Sequence, residues 1–278
     1  MVLVQVTEPQ TGKLLEYYMD GKLKREVDTK LMPILHKQDE DAVYVVDGSE
    51  RAGKSVFTMG LAKYVDPSFC IERICFSPDE FRKAILKAEK GQVVVFDEAY
   101  RGLSSKGSLT EINRILEGLM MEMGQKNLCV FILLPTFFLL QKYVALFRAK
   151  GVFHVFKYKG RKGFWRYYNS QKKKLLFLKG KKDYSYGYVK SGFKGRFYNF
   201  YPIDVVAYRL QKSISLKKGY KSTKAETYMA QRNICIYTLY QQGLTQQLIA
   251  DELKKNGLKM NRANISLIIS QMEKEKDY

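Results

Sequence analysis

The chain has 278 residues, 46% of them hydrophobic, which is enough to bury one large core or two smaller ones and excludes a fully disordered protein. Lysine and arginine total 48 against 28 acidic residues, so the formal net charge is +20. An excess of this size favours polyanionic partners, nucleic acid first and anionic membrane second, over a basic surface kept for solubility alone.

The sequence predicts neither a signal peptide nor a membrane span. Its start, residues 1–6, is short and has no basic stretch. The longest apolar run, residues 128–140, contains Pro135 and is too short to cross a bilayer. The four cysteines lack paired C-x-x-C spacing, so we interpret them as small core residues in a reducing compartment. We therefore expect a cytoplasmic protein, in the host cytoplasm if it is viral.

The first 40 residues carry no chemical motif. Alternating Val2, Val4 and Val6 predict a strand, and residues 22–35 predict a helix that leads into the next domain.

Residues 47–55, Asp-Gly-Ser-Glu-Arg-Ala-Gly-Lys-Ser, contain the G-x-x-x-x-G-K-S pattern of a phosphate-binding loop. Its glycines permit a curled backbone whose N–H groups point at phosphates. The lysine supplies a compact charge for the β- and γ-phosphates, and the final serine hydroxyl is a natural Mg²⁺ ligand. The pattern predicts an ATP and Mg²⁺ site formed by Gly48, Ser49, Glu50, Arg51, Ala52, Gly53, Lys54 and Ser55.

The sequence on either side of this loop has the order that phosphate-loop proteins need. Residues 42–46 form an apolar, β-branched run that predicts a buried strand, and residues 55–64 have apolar positions at roughly helical spacing. Strand, glycine-rich loop and helix therefore follow one another. A chance glycine turn is the alternative, and this context argues against it.

Residues 71–76 predict a second strand, and Ser77 is the N-cap candidate of a helix that runs from residue 81 to 90.

Residues 92–98, Gln-Val-Val-Val-Phe-Asp-Glu, predict a further buried strand that ends in two acids. In a parallel sheet, the carboxyl end of such a strand lies at the same edge as the phosphate loop. We expect Asp97 to bind the Mg²⁺ shell and Glu98 to orient and activate the attacking water. The alternative is a strand that ends in two solvated acids.

Two further segments could touch the ligands of this site. The small-residue loop 101–108 contains Arg101 and Lys106 and is either a DNA-contacting loop in a central channel or an ordinary connection. A helix is predicted from residue 111 to about 124. The apolar run 128–134 predicts a buried strand that ends at Thr136, which either contacts the γ-phosphate or caps a helix predicted over 137–150.

The order of these motifs, followed by Arg148 and the apolar segment 152–156, resembles the HerA/FtsK superfamily, and in outline the zonula occludens toxin-like ATPases of phages. The resemblance covers residues 40–160. It implies a RecA-like ATPase fold, a ring that acts on DNA, a fifth strand at 152–156 and an arginine that reaches a neighbour's nucleotide. Arg148 matches that position, with Arg114 and Arg101 as competitors. Many members have glutamine where this chain has Pro135-Thr136.

Residues 157–200 are dominated by lysine and arginine interleaved with aromatic residues and glycines, which predicts short antiparallel strands with basic, aromatic faces. Aromatic rings can stack on bases and cations can bind phosphates. Alternatively, the aromatics are core residues and the lysines protect a sheet edge. The candidate nucleic-acid contacts are Arg161, Lys162, Trp165, Arg166, Lys172, Lys173 and Lys174.

After a basic linker at 212–224, the sequence predicts helices over 226–241, 245–253 and 262–276, the second and third with Thr245 and Asn261 as N-caps. This is the outline of a helix-turn-helix or winged-helix module, with Arg262 and Asn264 on the recognition helix. A small helical packing or oligomerisation module is the alternative.

The combined prediction is an α/β protein with a RecA-like phosphate-loop core over 41–158, preceded by an N-terminal segment (1–40) and followed by a basic β-rich extension (159–211) and a linker with a helical domain (212–278). The expected function is an ATP-driven, Mg²⁺-dependent ring of about five or six subunits that translocates double-stranded DNA in genome packaging or transfer. It could work with a portal, nuclease or membrane partner. The alternatives are an ATP switch that loads a partner on DNA, and a membrane-associated assembly or export ATPase.

Overall fold

A computed structural model describes residues 1–97, 118, 126–217, 224–257 and 260–274. The chain divides into two compact units, Met1–Lys217 and Lys218–Tyr278. The first unit is a mixed α/β fold with a largely parallel central sheet, and it includes both the predicted N-terminal segment and the basic extension. The boundary between the two units falls after Lys217.

Among the described residues, the central sheet has seven strands: β3 Ala42–Asp47, β4 Ile74–Cys75, β5 Val93–Phe96, β6 Cys129–Leu134, β7 Ala149–Tyr158, β8 Arg161–Tyr168 and β9 Phe193–Arg196. Their order across the sheet is β4-β5-β6-β3-β7-β8-β9. Neighbours from β4 to β7 are parallel, whereas β7, β8 and β9 pair antiparallel. This architecture is compatible with a RecA-like α/β fold.

Helices cover both faces of the sheet, which explains why its central strands are continuous apolar runs. On β3, Ala42, Tyr44 and Val46 pack into one core cluster, and Val43 and Val45 pack into a second cluster on the opposite face. Within its described residues, this unit has the helices α1 Gly21–Glu26, α2 Met32–His36, α3 Lys54–Val65, α4 Pro78–Lys87, α5 Ser170–Gly180 and α6 Val205–Lys217.

The N-terminal segment packs on α3 as a separate two-stranded sheet of β1 Val2–Thr7 and β2 Leu14–Met19. The Tyr17 hydroxyl donates to the Gly60 carbonyl at 2.7 Å, and Glu8 forms an ion pair with the buried Lys63 at 2.8 Å. The strand predicted from alternating valines is confirmed. The helix predicted over 22–35 is also confirmed, with a π-helical turn, Val27–Leu31, between α1 and α2.

Two predicted elements are shorter in the structure. The strand expected at 71–76 is a 3-10 turn, Ile71–Arg73, followed by the two residues of β4. The helix expected over 137–150 is a 3-10 turn, Phe137–Leu139, and a π-helical turn, Val144–Arg148. The helical conformation cannot continue to residue 150, because Ala149 already pairs with Val43 as the first residue of β7.

Helix α5 lies where the composition predicted only short strands. Asn169 accepts a hydrogen bond from Lys172 N at 3.0 Å and caps the helix, and the buried positions are Lys173, Leu176, Phe177 and Gly180. Their spacing is helical, but one buried position is a lysine, which hides the apolar periodicity.

The second unit contains three helices among its described residues: α7 Lys224–Gln241, α8 Gln246–Lys255 and α9 Arg262–Lys274. Thr245 Oγ1 accepts a hydrogen bond from Leu248 N at 3.3 Å, and Asn261 Oδ1 accepts one from Asn264 N at 2.9 Å, so both predicted N-caps are confirmed. An isoleucine-rich core joins the helices and comprises Ile236, Tyr237, Ile249, Ala250, Ile265, Ile268 and Ile269.

All four cysteines are free thiols. Cys75 and Cys129 are buried as predicted, Cys70 is partly buried, and Cys235 is exposed on α7. The expectation of a core position is therefore wrong for Cys235.

Candidate nucleotide site

The phosphate loop lies at the carboxyl edge of the sheet, between β3 and α3. Its backbone is left-handed at three positions, with φ of 138° at Gly48, 56° at Arg51 and 102° at Gly53. A Cβ at Gly48 would lie 1.9 Å from the Val155 carbonyl oxygen, and a Cβ at Gly53 would lie 2.9 Å from the Phe197 ring. Both glycines are therefore required by space as well as by conformation.

Lys54 and Ser55 begin α3, where the first backbone N–H groups have no intrahelical acceptor and the helix dipole is positive. The Lys54 ammonium donates hydrogen bonds to the carbonyl oxygens of Gly48 at 2.7 Å and Ser49 at 3.0 Å. The loop thus brings together backbone donors, a helix N-terminus and an ammonium group. This combination suits the phosphates of a nucleotide.

Ser55 Oγ donates a hydrogen bond to Asp97 Oδ2 at 2.9 Å. Asp97 directly follows β5 and is only 1% exposed. Strand β6 separates β5 from β3, and the two residues meet because α3 packs against both β5 and β6. A hydroxyl and a carboxylate at this separation fit Mg²⁺, which needs few protein ligands when phosphates and water complete its octahedral shell.

Two residues of α6 complete the surroundings of Asp97. Its Oδ2 accepts a hydrogen bond from the Tyr208 hydroxyl at 2.6 Å and lies 3.3 Å from Lys212 Nζ. Burial raises the pKa of Tyr208 above its ordinary value, and the neighbouring Asp97 carboxylate raises it further. Tyr208 therefore remains a protonated donor to Asp97 at neutral pH.

Sequence reasoning missed both Tyr208 and Lys212 and placed Lys212 in a linker. The structure continues α6 through Lys212, with Asp204 Oδ1 accepting hydrogen bonds from the N–H groups of Val206 and Ala207 at 2.8 and 3.1 Å. The sequence does contain a helix-start signal here, the aspartate after Pro202-Ile203. A tyrosine and a lysine follow it four residues apart, which places both on one face of the helix. This pattern predicts the helix but does not predict that the two side chains contact Asp97.

A second polar cluster lies directly behind the loop around Asp47, the last residue of β3. Asp47 is fully buried and accepts hydrogen bonds from Phe137 N at 2.7 Å and from the Tyr186 hydroxyl. Its Oδ1 lies 2.9 Å from His154 Nδ1, and the rings of His154 and Tyr186 stack with centroids 3.9 Å apart. Burial raises the pKa of Tyr186, with a further contribution from Asp47. This cluster joins β3, β6 and β7 at the edge that carries the loop.

Thr136 follows β6 at the same edge and belongs to this cluster. Its Oγ1 lies 2.9 Å from the Tyr186 hydroxyl, which connects it to Asp47. A contact between Thr136 and a γ-phosphate stays a prediction. Sequence reasoning counted Tyr186 only among the aromatics of the basic region and missed its place behind the loop.

Arg148 lies at the opposite, amino edge of the sheet. It ends the π-helical turn before β7 and forms an ion pair with Asp41, the residue before β3. Since β3 has six residues, this edge is roughly 20 Å from the loop that follows Asp47. Arg148 therefore has a partner within the chain, at the edge opposite its own nucleotide site. Its action on a neighbour's nucleotide stays a prediction.

No protein-family model matches the chain, and no curated protein sequence matches it. The similarity to HerA/FtsK ATPases therefore remains a prediction from the motifs.

Two predicted nucleic-acid contacts are wrong because their side chains are buried. Trp165 is 0% exposed and packs between Phe57, Phe153 and Phe193. Lys173 is also 0% exposed, and its ammonium donates to the carbonyl oxygens of Ala145 at 2.6 Å and Leu146 at 2.8 Å. Of the other candidates in this region, Arg161, Lys162 and Lys174 are exposed, and Arg166 and Lys172 are partly buried.

The antiparallel strands do carry a basic, aromatic surface on one face, which we call the cation–aromatic face. The register pairs Phe156 with Phe164, and Phe164 with Arg196. The Arg166 guanidinium lies 4.6 Å from the Phe156 ring centroid, and that of Arg196 lies 5.2 Å from the Phe164 ring centroid. Lys194 is paired with Arg166 on the same face.

In the second unit, Arg262 and Asn264 are exposed near the start of α9. Glu98, Arg101, Lys106 and Arg114 lie outside the described residues, as does most of the helix predicted after residue 111. None of the helices in the described parts of the chain combines the length and hydropathy needed to span a bilayer.

Proposed function

We propose that the chain is a Mg²⁺-dependent ATPase that works as an oligomeric motor on DNA. The observation that carries the ATPase part is the meeting of the phosphate loop, Ser55 and Asp97 at one edge of the sheet, with Ser55 Oγ 2.9 Å from Asp97 Oδ2. Two separate parts of the sequence, the loop that ends at Ser55 and the strand end at Asp97, converge there on the chemistry that a magnesium nucleotide requires.

Each residue then has one task. Lys54 and the loop amides bind the β- and γ-phosphates, and Ser55 and Asp97 hold Mg²⁺, which when bound neutralises phosphate charge. Glu98, the next residue after Asp97, orients the attacking water and accepts its proton. In the assembled ring, an arginine of a neighbouring subunit neutralises the charge that develops during hydrolysis.

The polyanion part of the proposal is supported by charge and by surface chemistry. The net charge is +20, and the cation–aromatic face exposes Lys194 and Arg196 on β9 beside two phenylalanine rings. Cations on such a face bind phosphates, and rings between them can stack on bases. The exposed Arg262 adds a further phosphate contact in the second unit.

Double-stranded DNA is the substrate we propose, and packaging or transfer of a phage or mobile-element genome is the process. A closed ring of about five or six subunits would place the basic surfaces around the duplex. The motor would act in the cytoplasm with a portal, nuclease or membrane partner.

The test measures ATP hydrolysis and the displacement of a third strand from duplex DNA by the purified chain. We expect duplex DNA to stimulate hydrolysis and ATP to drive strand displacement, both weakening as salt rises. In Glu98→Gln, nucleotide binding should be retained while turnover falls about 100-fold or more, because a general base contributes that much.

The other outcomes separate the alternatives. ATP-dependent DNA binding with almost no turnover would favour a switch that loads a partner. Flotation of the protein with anionic vesicles, together with ATP hydrolysis that DNA does not stimulate, would favour a membrane-associated assembly ATPase. Wild-type turnover in Glu98→Gln would remove that residue from the mechanism.

A further inference from the structure

The carboxylate expected to hold the metal already has donors around one of its two oxygens. Asp97 Oδ2 accepts from Ser55 Oγ at 2.9 Å and from the Tyr208 hydroxyl at 2.6 Å, and the Lys212 ammonium lies 3.3 Å away. One carboxylate oxygen has two lone-pair sites, so three donors leave no direction open for a cation. A divalent cation can bind this oxygen only if a donor leaves.

Of the three donors, Lys212 is the one that can leave at least cost. Tyr208 is buried and packs against Phe76, with ring centroids 5.9 Å apart. Ser55 is itself an expected metal ligand and stays in the site, because rotation of its hydroxyl group would point an oxygen lone pair at the metal. The Lys212 side chain is 24% exposed and has a flexible four-carbon stem, so its ammonium can move into water.

Electrostatics points to the same residue. A divalent ion on Asp97 would lie close to the Lys212 ammonium, and like charges in a buried site repel strongly. The Tyr208 hydroxyl is neutral and carries no such conflict. We therefore propose, on the basis of the ATPase function above, that Lys212 is a resident cation of the metal site, which neutralises Asp97 before nucleotide binds and leaves it when the site takes up Mg²⁺.

The experiment measures the binding of a fluorescent ATP analogue while Mg²⁺ is titrated, in wild type, Lys212→Met and Arg209→Met. Arg209 is exposed on the same helix, so its replacement removes the same charge away from Asp97. If Lys212 occupies the site about nine-tenths of the time, the Mg²⁺ concentration for half-maximal binding should fall about tenfold in Lys212→Met. It should stay unchanged in Arg209→Met.

Mn²⁺ alone, followed by the electron paramagnetic resonance of the free ion, gives a readout without nucleotide. We expect Lys212→Met to bind Mn²⁺ more tightly than wild type. A variant that does not fold would be replaced by Lys212→Gln, with thermal unfolding used to check each protein.

An equal or higher Mg²⁺ requirement in folded Lys212→Met, with unchanged Mn²⁺ affinity, would overturn the exchange. Failure of the wild type to bind nucleotide at any Mg²⁺ concentration would instead contradict the ATPase proposal. The Mn²⁺ measurement would still decide the role of Lys212 in that case.

Discussion

The two edges of the parallel sheet both carry buried aspartates with basic partners, yet they differ in what surrounds them. At the amino edge, Asp41 and Arg148 form an ion pair directly before β3 and β7. At the carboxyl edge, Asp97 meets a hydroxyl, a phenol and an ammonium group beside a glycine-rich loop. The amino edge has a charged pair that is satisfied within the fold, whereas the carboxyl edge has the convergent donors and curled backbone that a phosphate site requires.

The largest expected effect is at the carboxyl edge. Lys54→Ala should weaken ATP binding roughly 100-fold or more, because a charge-assisted contact with the phosphates is lost. Lys150→Ala is the matched control, since Lys150 lies at the amino edge and pairs with Glu40 at 2.7 Å. Titration with a fluorescent ATP analogue measures both. Equal affinities of the two variants would remove the distinction between the edges.

An intermediate effect is expected from Arg148→Met. Removing one partner of a largely buried ion pair leaves Asp41 unpaired, so the free energy of unfolding should fall by about 3 kcal/mol, with ATP turnover unchanged. Urea denaturation of this variant, of Asp41→Asn and of the double variant measures the interaction energy between Arg148 and Asp41. A loss of turnover at unchanged stability would identify Arg148 as the arginine that acts on a neighbour's nucleotide.

The smallest effect concerns Lys173, whose ammonium group donates hydrogen bonds to carbonyl oxygens of the π-helical turn that ends at Arg148. Burial lowers the pKa of Lys173 from 10.5 to about 8, and the nearby Lys174 adds to this. The unfolded chain therefore binds more protons than the folded chain between these pH values, and stability should rise with pH across this window. Below pH 8, Lys173 is protonated in both the folded and the unfolded chain, and the full cost of burying its charge is present.

Relative to Lys173→Met, the free energy of unfolding of the wild type should rise by roughly 2 kcal/mol between pH 8 and 10. Tyrosines and cysteines titrate in both proteins, so the difference isolates Lys173. Urea denaturation as a function of pH measures it. Parallel stability curves would mean that Lys173 is not charged and buried as described.

Much of the carboxyl edge could be predicted because its signals are local. The spacing of Gly48, Gly53, Lys54 and Ser55 constrains the backbone within one loop, and the strand and helix around it follow from apolar patterns. The N-caps Ser77, Thr245 and Asn261 are local for the same reason, since each bonds to an N–H group three residues later.

The exposure of the candidate nucleic-acid contacts was predicted less well, because composition does not say which face of a strand a residue occupies. Trp165 and Arg166 are neighbours in β8, yet the first is buried and the second lies on the cation–aromatic face. Successive strand residues point to opposite faces, and only the packing of the sheet decides which face is covered.

The phosphate loop, its flanking strand and helix, and Asp97 at the end of a buried strand could all be predicted from the sequence, because they depend on short-range backbone geometry. The contacts of Asp97 depend instead on how distant parts of the chain pack together. Tyr208 and Lys212 lie 111 and 115 residues beyond it in the chain. No local pattern encodes such a contact, because it forms only when the sheet and α6 pack together.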